Sequence, residues 1–376
     1  MARLYIIRHC ESEGNACRRT YSQVEAPVTR KGFRQNEMLR RRFSGMHIDG
    51  IYSSDCYRSV MTVEPIAKEH GMPVKLRMTL REASTGIWET NAWGNIIIDY
   101  PEETEAWSKT PWAQKCPGII DFKNLADMMT LGVRRIAKEV GPDGVALCVS
   151  HSCAIKASFC RWLGKPVTEM NNLGHCENTG VNCIDVDEEG NISVVFMNDD
   201  THLPDELKRG WSGIAGSSVN MAVYPVETAA HMDDLVRCMK NEKSEAGEPF
   251  DEDAFRAETL ARLEKYPGDI ALGYLEGVLT GYVELGHDIN VPRDTGILKH
   301  IYMMPDFQRT QFAEQFFAYA SNKFRYMDLD YLVMPAKGSD DEMRVINRFI
   351  FAPNYALPEY VVTPLHTPPL TQPVLA

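Results

Sequence analysis

The sequence predicts an α/β fold, on three observations. Short apolar runs that read as strands stop abruptly at chemistry-bearing residues: Leu4–Ile7 stops at Arg8 and His9, and Gly144–Ser150 at His151. Segments of helical period follow them, and alternating strands and helices of this kind build a sheet covered by helices. The 376 residues exceed one ordinary domain and suit two.

The bulk composition narrows the function. Apolar residues are 44% and charged residues 24% of the chain, as in an ordinary globular protein. The net charge of −12 argues against a nucleic-acid binder, whose footprint is basic, but a local arginine pocket can still hold a small anion. No apolar run approaches the length of a membrane span, and Met1-Ala-Arg3 leads straight into a strand, which reads as no secretory leader. The ten cysteines include no C-x-x-C pair, so they read as reduced thiols of a cytoplasmic protein, and no Cys/His cluster has metal-ligand spacing.

The first strand delivers Arg8-His9 and then polar and small residues through Asn15. An arginine beside a histidine at a strand end is suited to bind and attack a phosphoryl group. Residues 27–44 read as a helix with Thr29 as N-cap. Ile48–Ser53 reads as a second strand, capped by Ser54 or Asp55 into a helix through Ala67. Arg58 falls in that helix's first turn, where anions gather. Alone it would read as a surface arginine; as the second arginine at a strand-to-helix junction it becomes a candidate phosphate ligand. A third strand, Met72–Arg77, precedes Glu82, which reads either as an ordinary loop glutamate or as a carboxylic acid able to donate a proton. Residues 90–124 read as a loop-like, aromatic-rich excursion, either a lid or a surface segment pinned by tryptophans. Leu125–Val140 reads as an amphipathic helix. The strand ending at His151 is followed by a helix over 154–163, then a strand pair across Asp187–Gly190.

These residues resemble the histidine phosphatase (phosphoglycerate mutase-like) superfamily over residues 1–203. Five pieces carry the resemblance, in order: Arg8-His9-Cys-Glu-Ser-Glu-Gly-Asn15, Pro27–Gly32, Ser53–Arg58 with Thr62, Glu82 ahead of Gly86–Glu89, and Val149-Ser-His151. The resemblance implies a three-layer αβα sandwich with the site at the carboxyl ends of its strands. It implies His9 as the nucleophile that becomes a phosphohistidine. Arg8, Asn15, Arg58 and His151 become the phosphate pocket, and Glu82 the acid and then the base. No metal or cofactor is implied for this domain. Cys10 and Ser152 stand where the family usually has glycine, which implies a tighter site and makes Cys10 an oxidation-sensitive neighbour of the nucleophile. The short stretch from Glu82 to His151 resembles the phosphatase branch more than the mutases.

Residues 204–218 read as a linker. Beyond it come a strand (221–226), two helices (228–242, 251–265), a hairpin around Gly277, a strand (298–304), a helix (311–324) and a strand (331–334). The tail from Pro353 reads as extended and poorly packed. Residues 219–352 resemble a smaller α+β domain, the GNAT acetyltransferase fold. The carrying segment is Ile301–Ala313, in which Gln311 takes the place of the central glycine. That resemblance implies acetyl-CoA as a ligand, its pyrophosphate held by Gln308, Arg309, Thr310, Gln311, Phe312 and Ala313.

The expected function is therefore a metal-independent phosphatase acting on a small phosphorylated metabolite, fused to a GNAT-like domain. The partners expected are that metabolite and a second copy in a homodimer, with neither nucleic acid nor membrane. Three alternatives stay open: an acetyl-CoA-dependent or bifunctional enzyme, mutase-type phosphoryl transfer, and non-catalytic phospho-ligand binding.

Overall fold

The computed structural model of the chain describes residues 1–109, 116–208, 219–287 and 289–370. The expected linker beyond Lys208, Trp112 of the aromatic excursion, and the tail beyond Leu370 lie outside the described residues.

The first half runs β1 (Ala2–Arg8), α1 (Glu13–Ala16), α2 (Arg30–Phe43), β2 (Gly50–Ser53), α3 (Tyr57–His70), β3 (Val74–Leu76), α4 (Trp93–Asp99), α5 (Pro101–Lys109), α6 (Phe122–Val140), β4 (Val145–Ser150), α7 (Ser152–Trp162), β5 (Val181–Val186) and β6 (Ile192–Asp199). Its six strands form one sheet in the order β3-β2-β4-β1-β5-β6. β1, β2, β3 and β4 pair in parallel, while β5 and β6 join antiparallel. Helices cover both faces. Leu4, Ile6, Ala146 and Cys148 pack with Met129, Val133 and Ile155 of α6 and α7, while Ile7, Ile51, Leu147 and Val149 pack with Leu39, Phe43 and Val63 of α2 and α3. Burial on both faces is why β1 and β4 read as continuous apolar runs rather than alternating ones.

The register positions the chemistry. Arg8 pairs with Ser150 and Ser53 with Val149, so β1, β4 and β2 end level with one another. His9 and His151, each the next residue of its strand, emerge side by side, and Arg58 arrives at the same edge from the first turn of α3.

The second half runs β7 (Ala222–Pro225), α8 (Ala229–Ala246), α9 (Glu252–Lys265), β8 (Ile270–Leu275), β9 (Val278–Gly286), β10 (Thr295–Met303), α10 (Ala313–Tyr326), β11 (Tyr331–Pro335), α11 (Asp340–Arg348), β12 (Ala352–Pro353) and β13 (Tyr360–Pro364). Its sheet has seven strands, ordered β12-β13-β11-β10-β9-β8-β7, one more than the first. Among the described residues only β10 and β11 pair in parallel in this sheet, over Thr295–Ile297 and Tyr331–Val333. Phe316, Phe317 and Phe324 of α10 fill one face, and Met232, Leu235 and Cys238 of α8 the other.

Three expectations change. The 90–124 excursion is not loop-like: it contains α4 and α5, held by a cluster in which Trp88, Trp93, Tyr100 and Trp107 pack ring against ring. The helix carrying Arg58 is preceded by Cys56 at the N-cap position rather than Ser54 or Asp55, because Asp55 is engaged by Arg81 at 2.5 and 2.6 Å. The tail is packed as far as Leu365: residues 360–364 insert between β11 and β12, and Leu365 is buried. Pro358 precedes this strand and Pro364 is its last residue, leaving Tyr360–Thr363 free to donate to the ladder.

The halves are joined by buried polar contacts and close backbone approach. A Cβ on Gly94 would lie 2.2 Å from the backbone of Met221, so glycine lets α4 touch the start of the second half. Glu13 of α1 accepts from Arg325 at 2.6 and 2.8 Å, Tyr21 bonds Asn322, and Arg30 donates to the carbonyls of Phe349 and Phe351 at 2.8 and 3.0 Å. Ala16 and Cys17 belong to the second half's core.

Candidate active site

His9 is buried, and its Nδ1 lies 2.7 Å from the carbonyl of Cys10. A carbonyl only accepts, so Nδ1 carries the proton and Nε2 keeps its lone pair. Burial, with the charges of Arg58 and Arg8, holds the His9 imidazole neutral, well below its ordinary pKa. Its backbone is fixed on both sides: the N–H donates to Ser150 O at 3.0 Å, and the carbonyl accepts from Asn178 at 2.8 Å.

His151 stands with its ring centroid 5.0 Å from that of His9. Its Nδ1 faces Arg58 Nη2 at 3.3 Å and its Nε2 faces Ser54 Oγ at 2.9 Å. Arginine only donates, so the His151 proton sits on Nε2. Burial and the neighbouring charge of Arg58 again keep this ring neutral, well below its ordinary pKa.

Arg58 is 1% exposed, yet it makes no ion pair among the described residues; it donates to the carbonyls of Ser22 at 2.8 Å and Val24 at 3.2 Å. A buried guanidinium held by neutral acceptors keeps its charge for an anion that arrives from outside. Arg8 donates to Cys176 O at 2.6 Å, and its Nε is buried without a partner. Asn15 lines the same cavity, its Oδ1 held by Ser12 and Asn178.

Glu82 is half-buried and sits over the N-terminus of α7. Its carboxylate accepts from the N–H groups of Ala83 and Ala154 at 2.9 Å and of Cys153 at 3.1 Å. Burial pushes its pKa above the ordinary carboxylate value against the pull of these three donors. A carboxyl raised in this way can hold a proton and release it.

All six first-half residues expected at the site line one cavity of about 370 Å³: Arg8, His9, Asn15, Arg58, Glu82 and His151. Cys10 does not line it. Its thiol turns back to the carbonyl of Arg58 at 3.8 Å, and burial pushes its pKa up to about 11, which disfavours the thiolate through which an oxidation-sensitive cysteine reacts. Ser152 does face the cavity. Lys31, Lys156, His175, Asn178, Gln311 and Arg348 also line it, and sequence reasoning missed their part in the site. Lys31 lay inside the quoted Pro27–Gly32 motif, and Gln311 inside the Ile301–Ala313 segment read for a different ligand; the others come from segments with no local signal. Gly32 places α2 here: a Cβ would lie 2.2 Å from Glu11 O, so only glycine lets the helix abut the loop after His9.

The second expected site has a different character. Backbone N–H of Arg309 donates to Asp341 at 2.8 Å, and Gln308 faces Glu245 at 3.4 Å. The adjoining cleft is lined by Glu242, Glu245, Asp340 and Asp341. Phe312 and Ala313 are buried in the core, and Gln311 turns toward the His9 cavity. Among the described residues no group of His, Cys, Asp and Glu is arranged to hold a metal ion, and no helix is long and apolar enough to cross a membrane.

Two histidines at adjacent parallel strand ends, flanked by two arginines and a raised carboxyl, define a phosphate-handling α/β protein. The chain belongs to the histidine phosphatase superfamily (branch 1), whose family model matches residues 4–200. It is 25% identical over 203 residues to phosphoserine phosphatase 1 of Hydrogenobacter thermophilus, covering 54% of this chain and 95% of the relative. It is 29% identical over 222 residues to a probable phosphoglycerate mutase of Cronobacter sakazakii, covering 56% of this chain and all of the relative. The structure of Bacillus stearothermophilus YhfR superposes with a TM-score of 0.52 at 23% identity, over 54% of this chain and 99% of that one. The family and the phosphatase among these relatives support a phosphatase.

Proposed function

We propose that the chain is a metal-independent phosphomonoester phosphatase that works through a phosphohistidine at His9 on a small phosphorylated metabolite. The observation that carries this is the neutral His9 ring, its lone pair on Nε2, set between Arg8 and Arg58 in the cavity that Glu82 also lines. In the first step Nε2 attacks phosphorus and the ester P–O bond breaks. Glu82 gives its proton to the leaving oxygen, while Arg8, Arg58 and Asn15 hold the equatorial oxygens and His151, accepting from Arg58 at Nδ1, orients that guanidinium. In the second step Glu82 takes a proton from water, the hydroxide attacks phosphorus, and the N–P bond breaks to release phosphate. Hydrolysis of p-nitrophenyl phosphate that is lost in His9→Ala tests this; full activity in that variant would contradict it. The relative named as a probable phosphoglycerate mutase supports a second reading, transfer from His9 to a second hydroxyl, which label transfer between phosphoglycerate isomers would reveal.

For the second half, a GNAT-like fold is supported by the parallel β10–β11 pair in an otherwise antiparallel sheet, with a loop from β10 into α10. Acetyl-CoA on Gln308–Ala313 is the less favoured part of that reading, because Asp341 and Glu245 already occupy the donors a pyrophosphate would use. Calorimetry with acetyl-CoA tests it, and no heat would remove it. The ten cysteines are all free, which suits a reducing compartment such as the cytoplasm.

A further inference from the structure

We infer that the second half supplies part of the phosphatase's substrate site: Arg348 and Gln311 wall the His9 cavity, and Arg348 with Lys31 binds a second anionic group on the phosphomonoester. This inference rests on the phosphatase reading. Arg348 is the last residue of α11, yet it lines a cavity whose chemistry belongs to β1, β4 and α3. Its Nη2 donates to Glu11 Oε2 at 2.6 Å, and its Nε is buried with no partner. Lys31 Nζ lies 4.0 Å from the same Glu11 oxygen and 2.6 Å from the carbonyl of Lys208, while Thr29 donates to the other Glu11 oxygen at 2.7 Å. One carboxylate thus serves two cations. A guanidinium and an ammonium that share one carboxylate at the cavity wall offer charge-assisted donors to an anion that enters it.

The wider cavity agrees. Seven cationic side chains line it (Arg8, Arg18, Arg19, Lys31, Arg58, Lys156 and Arg348) against three carboxylates (Glu11, Glu82 and Glu177), in a chain whose net charge is −12. Arg8 and Arg58 flank His9 and account for the transferred phosphoryl group. The surplus lies outside them, and at Arg348 it is contributed by the second half. Binding energy from such a remote group orients the ester for attack.

The test compares ethyl phosphate, phosphoglycolate and propane-1,3-diol bisphosphate on the full chain, with p-nitrophenyl phosphate measured alongside. The wild type is expected to favour one charged ester over ethyl phosphate by about tenfold or more in kcat/KM, the scale of one charge-assisted hydrogen bond. Preference for phosphoglycolate identifies a carboxylate as the second group; preference for the bisphosphate identifies a phosphate. Arg348→Gln should erase most of that preference through KM, and Arg348→Lys should restore part of it. Gln311→Glu, which leaves the Glu11 pairing in place, should lower the preference by placing a negative charge in the wall. Turnover of p-nitrophenyl phosphate with equal use of charged and neutral esters, or a preference unchanged in both Arg348→Gln and Gln311→Glu, overturns this inference alone. No turnover of any ester overturns the phosphatase reading and this inference with it.

Discussion

Two of the strand-to-helix junctions that sequence reasoning assigned to phosphate carry opposite fields. After β1, the loop into α1 faces a cavity in which Arg58 is buried without a carboxylate and His9 and His151 are kept neutral. After β10, the loop into α10 meets Asp341, Gln308 faces Glu245, and nearby His300 lies between Glu242 and Glu342 at 2.9 and 2.8 Å. Burial opposes charge on His300, but these two carboxylates outweigh it and lift its pKa to about 10. The same residue type is thus neutral in one junction and cationic in the other. A strand, a loop and a helix N-terminus do not by themselves make an anion site. The carboxylates packed around the loop decide whether its donors are free.

The largest effect that would sharpen this contrast is on chemistry. His9→Ala should lower hydrolysis of p-nitrophenyl phosphate by about a thousandfold or more, as expected for loss of a covalent nucleophile, with circular dichroism unchanged. Arg58→Ala should cost about a hundredfold in kcat, because the charge that stabilises the transferring group is removed. The paired arginine at the other junction, Arg309→Ala, should change p-nitrophenyl phosphate turnover by less than about twofold; an effect equal to that of Arg58→Ala would break the comparison.

Glu82→Gln should lower alkyl phosphate turnover by about a hundredfold and p-nitrophenyl phosphate turnover much less, because nitrophenolate leaves without a proton. Since the acid must be protonated, wild-type kcat on the alkyl ester should fall as pH rises through the raised Glu82 pKa. That limb should vanish in Glu82→Gln. Retention of the same limb would assign it to another group.

The contact between the halves gives a stability effect. Glu13→Gln leaves Arg325 buried without its partner, which should cost about 3 kcal/mol in denaturant unfolding. The most pH-dependent effect concerns Glu314, which is buried near the charge of Arg348. Burial pushes its carboxyl from the ordinary 4.5 up to about 7. The native state therefore binds the proton more tightly than the unfolded chain, so Glu314 costs nothing below pH 4.5, an increasing amount between 4.5 and 7, and its full penalty above 7. Glu314→Gln should thus stabilise the protein at pH 8 by up to about 3 kcal/mol and have little effect at pH 4.5; equal effects at both pH values would contradict the assignment.

The first site was legible because its parts are local. Each of Arg8, His9, Arg58 and His151 ends a strand or opens a helix, and the parallel register brings those ends together. Thr29 was read correctly as a cap, since its Oγ1 accepts from Gly32 N–H at 3.0 Å. What escaped was non-local. α11 carries a Ser339/Glu342 capping box that was there to be read, but nothing near Arg348 in sequence shows that it reaches Glu11. The aromatic excursion reads as loop because its helices are short, and the packing of Trp88, Trp93 and Trp107 that holds them is invisible in one dimension. The strand over 360–364 was hidden by flanking prolines. The acidic surroundings of Gln308–Ala313 come from α8 and α11: Glu245 is 63 residues from Gln308 and Asp341 is 32 from Arg309 in the sequence.

The central claim is that His9 accepts the phosphoryl group. Rapid acid-free quenching of the full chain during turnover, followed by mass spectrometry, tests it most directly. The account predicts a phosphoryl adduct on the peptide containing His9 that forms and decays with turnover, and none in His9→Gln. Steady turnover with that peptide unmodified, or with the adduct on another residue, would contradict it.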